Sequence, residues 1–225
     1  MNISSLSLRR FQVGLALFFL ILFGKAWGAV PETKPQSNST EVKDRVYSRI
    51  AASAEALRTV SSDFSQEKHL AMLKNPLISE GRFVYEKPDR LFWEFRRPAP
   101  AGFQVQGTKV KRWRGSLRQA ETIALEEDPP VKAMVEQIFA WSRADFPWLE
   151  KRYTIQVREE TPTLLKLTPL SPQEKKFIGF IQIAFSPDWA YVRSVEIHEK
   201  RGDFTSIVFS GARVNQPIPE GLWEK

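Results

Sequence analysis

The chain has 225 residues, a formal net charge of +7 and no cysteine. Without cysteine it has no disulfide bond, no thiolate metal ligand and no acceptor for lipid attachment, which excludes a disulfide scaffold and a lipoprotein. A chain of this length can bury a sizeable core, and that core must stabilise the fold by itself.

The first 28 residues are predicted to be a secretory signal peptide. A polar start ending in Arg9 and Arg10 precedes the charge-free run FQVGLALFFLILF, and small residues follow at Ala26 and Gly28. The apolar run is shorter than the roughly 20 residues that span a bilayer. Cleavage near Gly28 would deliver the chain to a periplasm-like compartment. The alternative is an uncleaved N-terminal anchor.

Removal of residues 1–28 lowers the net charge from +7 to +4, because Arg9, Arg10 and Lys25 leave and no acid does. A charge of this size suits anionic membrane surfaces and gives weak support for nucleic acid. The basic and aromatic segment KVKRWRG is interpreted as the solvated outer face of a strand. No nucleic-acid partner is therefore expected.

Residues 29–40 are expected to form a flexible polar leader to a single domain, 41–225. Helical spacing of apolar residues predicts a helix over 41–60, capped by Thr40, and a second over 131–145 after a proline pair. Alternating segments predict strands at 63–73, 81–87, 89–97, 102–107, 109–114, 119–125, 153–159, 163–169, 177–186, 191–200 and 203–210. Short turns between them favour antiparallel pairing.

No motif in the sequence supports catalysis or metal binding. Neither His69 nor His198 has the spacing of metal ligands, and both are predicted to lie at the surface or a strand edge. Nucleophile-elbow and phosphate-loop motifs are missing. The acidic run 126–128 and the RGD at 201–203 are interpreted as solvated turns. We therefore predict no enzyme, no cofactor and no metal.

Two predicted strands carry large apolar side chains on one face. Leu91, Trp93 and Phe95 share a face of one strand, and Ile181 and Ile183 share a face of another. Such a face is either ordinary core or the wall of a cavity that holds an apolar ligand. The pattern taken alone favours core.

Four segments then occur in an order typical of a known family. They are DFSQEK, GRFVYEKPDRLFWEF, VQGTKV and PIPEGLW, and an amphipathic helix precedes them. In this order they resemble the LolA family of periplasmic lipoprotein carriers, with its Phe-x-Gln strand, its Gly-to-Trp segment interrupted by proline, and its closing Pro-x-Gly. The resemblance covers most of residues 41–225 and is most specific over 81–113.

The resemblance implies an α+β fold, in which helices form a lid over an incomplete, strongly curved antiparallel half-barrel. Such carriers take lipoproteins from an inner-membrane transporter and deliver them to an outer-membrane receptor. The residues expected to contact the acyl chains are Phe83, Leu91, Trp93, Phe95, Ile138, Phe139, Trp141, Ile181 and Ile183.

Two positions depart from the family pattern. An arginine that holds the lid by bonding to its backbone is replaced by Lys87, and the aspartate before Gly107 is replaced by Gln106. Lysine lacks the planar fork of arginine, so a latch formed by Lys87 would be weaker.

Several alternatives remain at this stage. The cargo could be a glycolipid, a free fatty-acyl product or another hydrophobic envelope component in place of a lipoprotein. A lipid sensor that regulates a membrane partner could use the same half-barrel, although sensors of this type carry a second C-terminal domain. An esterase is the remaining alternative. A monomer is expected in each case.

Overall fold

A computed structural model describes residues 38–116, 120–160 and 162–224 of the chain. The predicted signal peptide and most of the predicted leader therefore lie outside the described residues. Within the described ranges, no helix combines the length and the apolar character needed to cross a membrane.

Helices and strands alternate in two blocks. The helices are α1 (Asn38–Ala56), α2 (Pro129–Arg143) and α3 (Phe146–Glu150). The strands are β1 (Thr59–His69), β2 (Leu77–Glu86), β3 (Arg90–Arg97), β4 (Ala101–Gln106), β5 (Lys109–Arg114), β6 (Glu121–Ala124), β7 (Tyr153–Glu160), β8 (Thr163–Pro169), β9 (Ile178–Phe185), β10 (Val192–Glu199) and β11 (Phe204–Val214). Short 3-10 turns lie at Leu125–Glu127 and Glu174–Lys176.

The strands that the structure describes form one antiparallel sheet of eleven, in the order β6-β5-β4-β3-β2-β1-β11-β10-β9-β8-β7. The chain runs from the centre to one edge through β1–β6, crosses through α2 and α3, and returns from the other edge through β7–β11. Strands β6 and β7 are the two edges, so the sheet is not closed into a barrel. The predicted α+β fold with an open half-barrel is confirmed.

Helix α1 begins at Asn38, so Thr40 lies inside the helix and the predicted cap at this residue is wrong. The helix also ends earlier than predicted, because β1 already begins at Thr59. Val60, Ser62 and Phe64 alternate as buried residues from the start of β1. These residues therefore form a strand and not the end of the helix, because β1 pairs with β2 on one side and with β11 on the other.

The second predicted helix corresponds to α2, and the short helix α3 that follows it was not predicted. Helix α2 ends at Arg143, and its C-cap residue Ala144 adopts a left-handed backbone with φ of 54°. Asp145 then accepts a hydrogen bond from the backbone N–H of Trp148 at 3.0 Å and caps α3. A capping aspartate followed by a proline in the first turn is a strong helix start, which explains why a new helix begins here.

The prediction of a solvated acidic turn is wrong for Asp128, which is only 8% exposed. Its carboxylate accepts the backbone N–H of Val131 at 3.2 Å, which caps α2. It also accepts a hydrogen bond from Arg112 of β5 at 2.5 Å. A cap paired with a cation fixes the start of α2 to the β5–β6 edge of the sheet.

A small second core lies on the convex face of the sheet. Val84, Phe92 and Trp113 pack there against Leu222 of the C-terminal tail. Gln104 and Gln106 both donate hydrogen bonds to the carbonyl oxygen of Trp223, at 3.1 and 2.7 Å. The glutamine at 106 therefore holds the tail, which gives this departure from the family pattern a structural role.

Candidate lipid-binding site

The concave face of β7–β10, called here the aliphatic half, is covered by α1 and α3. Ile181 and Ile183 lie within this half and are 2% and 1% exposed. The residues packed with them include Val46, Ile50, Phe146, Leu149, Ile155, Leu165, Leu167 and Val195. Both predicted site residues in this half are therefore core when the helices are in the observed position.

Helix α1 is held on the aliphatic half by contacts along its length. The ring of Tyr47 stacks on Phe146 of α3 at a centroid distance of 3.6 Å. The guanidinium of Arg45 donates to both carboxylate oxygens of Glu160, at 3.1 and 3.0 Å. These contacts join the helix to α3 and to the edge strand β7.

The three predicted site residues of α2 lie at the boundary of this half. Ile138 is buried, and Trp141 packs against the aliphatic half with its indole N–H buried and without a hydrogen-bond partner in the described part of the chain. Phe139 is half-buried, and its ring lies 5.9 Å from the ring of Tyr85. Helix α2 therefore contacts both halves of the concave face.

The concave face of β1–β4 and β11, called here the aromatic half, contains a cluster of rings. Phe64 lies 4.7 Å from Trp93 and 5.3 Å from Phe95, measured between ring centroids. Phe83 lies 5.2 Å from Phe209. The structure thus places Phe83, Trp93 and Phe95 in one cluster with Phe64 and Phe209.

The cluster depends on a glycine. Gly81 of β2 is the register partner of Phe64 in β1 and of Phe95 in β3. A Cβ at this position would collide with the carbonyl oxygen of Glu94 and would lie 2.5 Å from Cζ of Phe64. The Phe64 ring therefore occupies the space that any other residue at position 81 would fill.

Coverage is incomplete at one side of the aromatic half. Phe64 and Trp93 are buried, whereas Phe95 and Phe209 are only half-buried. Leu91, in contrast, is fully buried and pairs with Tyr85 and Val105, so it belongs to the core. The accessible part of the apolar wall is therefore the rim formed by Phe95 and Phe209.

The sequence contained signals for both missed rings. Phe64 occupies the aromatic position of the DFSQEK segment, and Phe209 continues the alternation of the last strand. Their proximity to β3 was not readable, because β11 returns beside β1 only through the full course of the sheet.

The concave row of β1 becomes polar beyond Phe64. Gln66 is buried, and its Oε1 has no hydrogen-bond partner among the described residues. Lys68, the next residue in the row, pairs with Glu199 at 3.3 Å. The aromatic half therefore ends in a polar strip.

Lys87, the predicted latch, lies in the turn between β2 and β3 and contacts the end of α1. Its Nζ donates hydrogen bonds to the carbonyl oxygens of Ala54 at 2.6 Å and Glu55 at 3.2 Å. A cation at a helix C-terminus is favourable because the last carbonyls carry partial negative charge. Burial, and secondly the nearby Arg58, lower the pKa of Lys87.

The same turn also contacts α2. Arg143 donates a hydrogen bond to the carbonyl oxygen of Pro88, and its guanidinium lies 4.7 Å from the ring centre of Phe139. Burial raises the pKa of Tyr85, and the nearby guanidinium of Arg143 opposes that rise. One turn of the sheet thus holds the C-terminal ends of both α1 and α2.

In the described part of the chain, no group of three His, Asp or Glu side chains is arranged to hold a metal ion. Both histidines lie on the convex face, where His69 stacks on Phe204 and His198 stacks on Phe180. Neither histidine contacts the aromatic half.

A model of the family described as "Outer membrane lipoprotein carrier protein LolA" matches residues 55–224. The chain belongs to the LolA family. Membership supports a carrier-type role in binding lipid or lipoprotein and a place in the cell envelope. A comparison with curated protein sequences returns no relative.

Several solved structures match this chain at low sequence identity and with TM-scores below 0.5. The MucA/MucB complex of Pseudomonas aeruginosa matches with a TM-score of 0.49 and 13% identity, over 82% of this chain and 61% of that chain. A DUF1329 family protein of Desulfovibrio piger matches with a TM-score of 0.44 and 12% identity, over 82% and 96%. A LolA superfamily protein of Nitrosomonas europaea gives 0.39 and 10%, over 80% and 97%.

Proposed function

We propose that this protein is a periplasmic carrier that shields the acyl chains of lipid-modified proteins against the aromatic half. In this proposal the signal peptide is cleaved near Gly28, and the monomeric carrier moves cargo from an inner-membrane transporter to an outer-membrane receptor. The observation that supports it most directly is the half-buried rim of Phe95 and Phe209 on an otherwise covered concave face.

The energetics of acyl chains require such a shield. Each methylene group transferred from an apolar phase to water costs about 0.8 kcal/mol, so a long chain costs roughly 10 kcal/mol or more. A cargo with several chains therefore cannot cross an aqueous compartment unaided at a useful rate. A wall of aromatic rings removes most of this cost for the segment that it covers.

The arrangement of the helices suits release as well as binding. Phe95 and Phe209 provide an initial contact surface, and outward movement of α2 would extend the wall towards Phe139 and Leu91. The β2–β3 turn holds both α1 and α2 through Lys87 and Arg143. Loss of these few hydrogen bonds would therefore free the ends of both helices together.

The first experiment is mass spectrometry of organic extracts from the protein, purified from its own periplasm without detergent. A lipid or lipopeptide recovered at near one mole per mole supports the carrier and identifies the class of cargo. An empty protein that also fails to bind a fluorescent fatty-acyl probe contradicts it. A sensor or interaction role on the same half-barrel would then be the better explanation.

A matched pair of variants tests the site itself. Phe95→Ser removes a half-buried ring from the concave rim, whereas Phe180→Ser removes a half-buried ring from the convex face. We expect Phe95→Ser to weaken binding of the acyl probe about tenfold and Phe180→Ser to leave it unchanged, because only the first ring lies on the proposed wall. Equal effects of the two variants on probe binding would mean that the aromatic half is not the binding site.

A further inference from the structure

One end of the sheet carries most of the exposed large apolar side chains of the described residues. Those exposed are Met72, Leu73, Leu77, Ile78, Leu170 and Val208. All of them except Val208 lie in or beside turns at the end where β1 finishes and β11 begins. Met72 is 86% exposed, although its backbone belongs to a short turn between two long strands.

Three turns meet at this end and are hydrogen-bonded to one another. The backbone N–H of Ala71 donates to Oδ1 of Asp203 at 2.8 Å. The backbone N–H of Lys200 donates to the carbonyl oxygen of Phe177 at 2.7 Å. These bonds join the turns 70–76, 200–203 and 170–177 into one surface. We call these turns, with Leu77 and Ile78, the tip surface.

A ladder of stacked rings supports the tip surface from the convex side. His69 lies 4.1 Å from Phe204, Phe204 lies 5.3 Å from His198, and His198 lies 4.2 Å from Phe180, measured between ring centroids. These rings belong to β1, β11, β10 and β9 in succession. The stacked rings therefore support the end of the sheet from which the turns project. Met72 is exposed in a hairpin that this support holds in place.

The tip surface is also basic. Its turns carry five exposed cations, Lys74, Lys175, Lys176, Lys200 and Arg201, and two acids, Glu174 and Asp203. Asp203 already accepts the N–H of Ala71, and Glu174 is half-buried beside Tyr153. Within the described ranges, none of the five cations forms an ion pair. The five cations exceed the two acids, so the exposed apolar side chains are surrounded by a net positive charge.

We propose that the tip surface docks the protein on the surface of an anionic phospholipid membrane. Apolar side chains that enter the acyl boundary, together with lysines that reach the headgroups, are the features of reversible interfacial binding. Protein interfaces, in contrast, are enriched in aromatic residues, Met and Arg and depleted of lysine. The tip surface has four lysines, and its exposed large apolar residues are three leucines, one isoleucine and one methionine without an aromatic ring, so its chemistry fits lipid better than a protein partner.

Docking at this end places the proposed cargo site near the membrane. Phe64 precedes the end of β1 by five residues, which corresponds to about 17 Å along the strand. The Lys87 turn lies at the opposite end of β2 and would face away from the lipid. Docking on the membrane requires no bound cargo, so the vesicle test and the acyl-probe test can succeed or fail independently.

The first experiment places a reporter at the most exposed residue. The natural chain has no cysteine, so Met72→Cys can be labelled at a single site with an environment-sensitive fluorophore. Arg193→Cys, exposed at the far end of β10, is the matched control. The exported protein is used, with its N-terminus read by mass spectrometry, so that every variant is compared in the same form.

With vesicles of phosphatidylglycerol and phosphatidylcholine, we expect a blue shift for the label at residue 72 and none for the label at 193. Vesicles of phosphatidylcholine alone should give little shift, because the cations then have no anionic partner. High salt should reverse the binding. Equal shifts at the two sites, or none at residue 72, would overturn the proposal, and a protein partner would then be the occupant to test.

Charge reversal provides a second test. Lys175→Glu with Lys176→Glu should weaken co-sedimentation with the anionic vesicles at least about tenfold. Arg193→Glu with Arg213→Glu changes the net charge equally at the other end of the sheet and should leave binding nearly unchanged. If both double variants lose binding to the same extent, net charge and not the tip surface is responsible, and the proposal is wrong.

Discussion

The aliphatic and aromatic halves of the concave face share the same strand alternation and differ in what covers them. In the aliphatic half, α1 and α3 lie on the sheet, and Leu167 and Ile183 are almost completely buried. In the aromatic half, α2 contacts the sheet through Phe139, whose ring lies 5.9 Å from that of Tyr85, and Phe95 and Phe209 are only half-buried. The apolar character of a strand face therefore does not distinguish core from binding wall, whereas coverage by helices does.

The kind of side chain follows the same division. Branched aliphatic residues predominate among the buried residues of the covered half, where fixed shapes interlock at high density. Flat rings dominate the partly covered half, where they provide area without strict complementarity. A carrier that must also release its cargo is better served by the second kind of surface. Four measurements test this comparison, in order of decreasing expected effect.

The largest effect is expected from Gly81→Ala. The added methyl group would displace the Phe64 ring and collide with the backbone of β3, so we expect a loss of about 3 kcal/mol or more in the free energy of unfolding. Urea unfolding measures the change. Gly179→Ala in the aliphatic half is the control, since its Cβ would lie 3.3 Å from the nearest atom and should cost less than about 1 kcal/mol. Equal losses would mean that the aromatic half does not depend on a glycine.

Ile183→Ala should lower the free energy of unfolding by about 2–4 kcal/mol, because it opens a cavity in a covered core. Binding of an acyl probe by the folded variant should be unchanged. Unfolding midpoints and probe titrations on the same sample separate the two effects. A variant that keeps its stability and loses binding would show that cargo reaches the aliphatic half, and that the helices must leave it.

Lys87→Met should reduce stability by about 1 kcal/mol, through loss of charge-assisted hydrogen bonds to the end of α1. Probe uptake should become faster, because the helix end is released, while Lys87→Arg should restore the parental rate. Stopped-flow fluorescence measures uptake. Unchanged uptake in Lys87→Met would contradict a latch, even if stability falls.

The smallest effect is expected at Tyr153, at the edge of the aliphatic half. Burial, with the nearby charge of Glu174, raises the pKa of Tyr153 to about 12. The folded state therefore favours the protonated phenol, and this stabilisation is complete below about pH 10 and lost as the pH rises towards 12. Alkaline titration of phenolate absorbance should lose its late step in Tyr153→Phe. If Tyr153→Phe instead removes a step near the ordinary tyrosine pKa of about 10, Tyr153 is accessible to water and the aliphatic half is more open than the structure shows.

Much of the fold was readable from local patterns. Alternation located all eleven strands of the described sheet, with errors mainly at the ends, and helical spacing located α1 and α2. Two of the errors in the helices lie where a side-chain capping interaction sets the start of the helix. Asp128 and Asp145 each cap the start of a helix, because the side chain accepts a hydrogen bond from the backbone N–H three residues later. Such a bond depends on the side-chain rotamer as well as on residue type, so residue type alone did not locate it.

The candidate site was readable in part. The strand faces that contain Trp93 and Ile183 were assigned from alternation, and the contact of these residues with lipid stays a prediction. The role of Gln106 was not readable, because its partner is the backbone of Trp223, which lies 117 residues away along the chain. The contact of Lys87 with α1 was expected only from resemblance to the family.

The sequence by itself determined which residues can form a sheet with one apolar face, because strand alternation is a local property of the chain. It also determined the absence of disulfides and the family to which the chain belongs. Only the tertiary structure decided which part of that face is covered, since coverage depends on where α1, α2 and α3 lie. It likewise decided that three distant turns meet in one basic, apolar surface, because strand order and not sequence order brings them together.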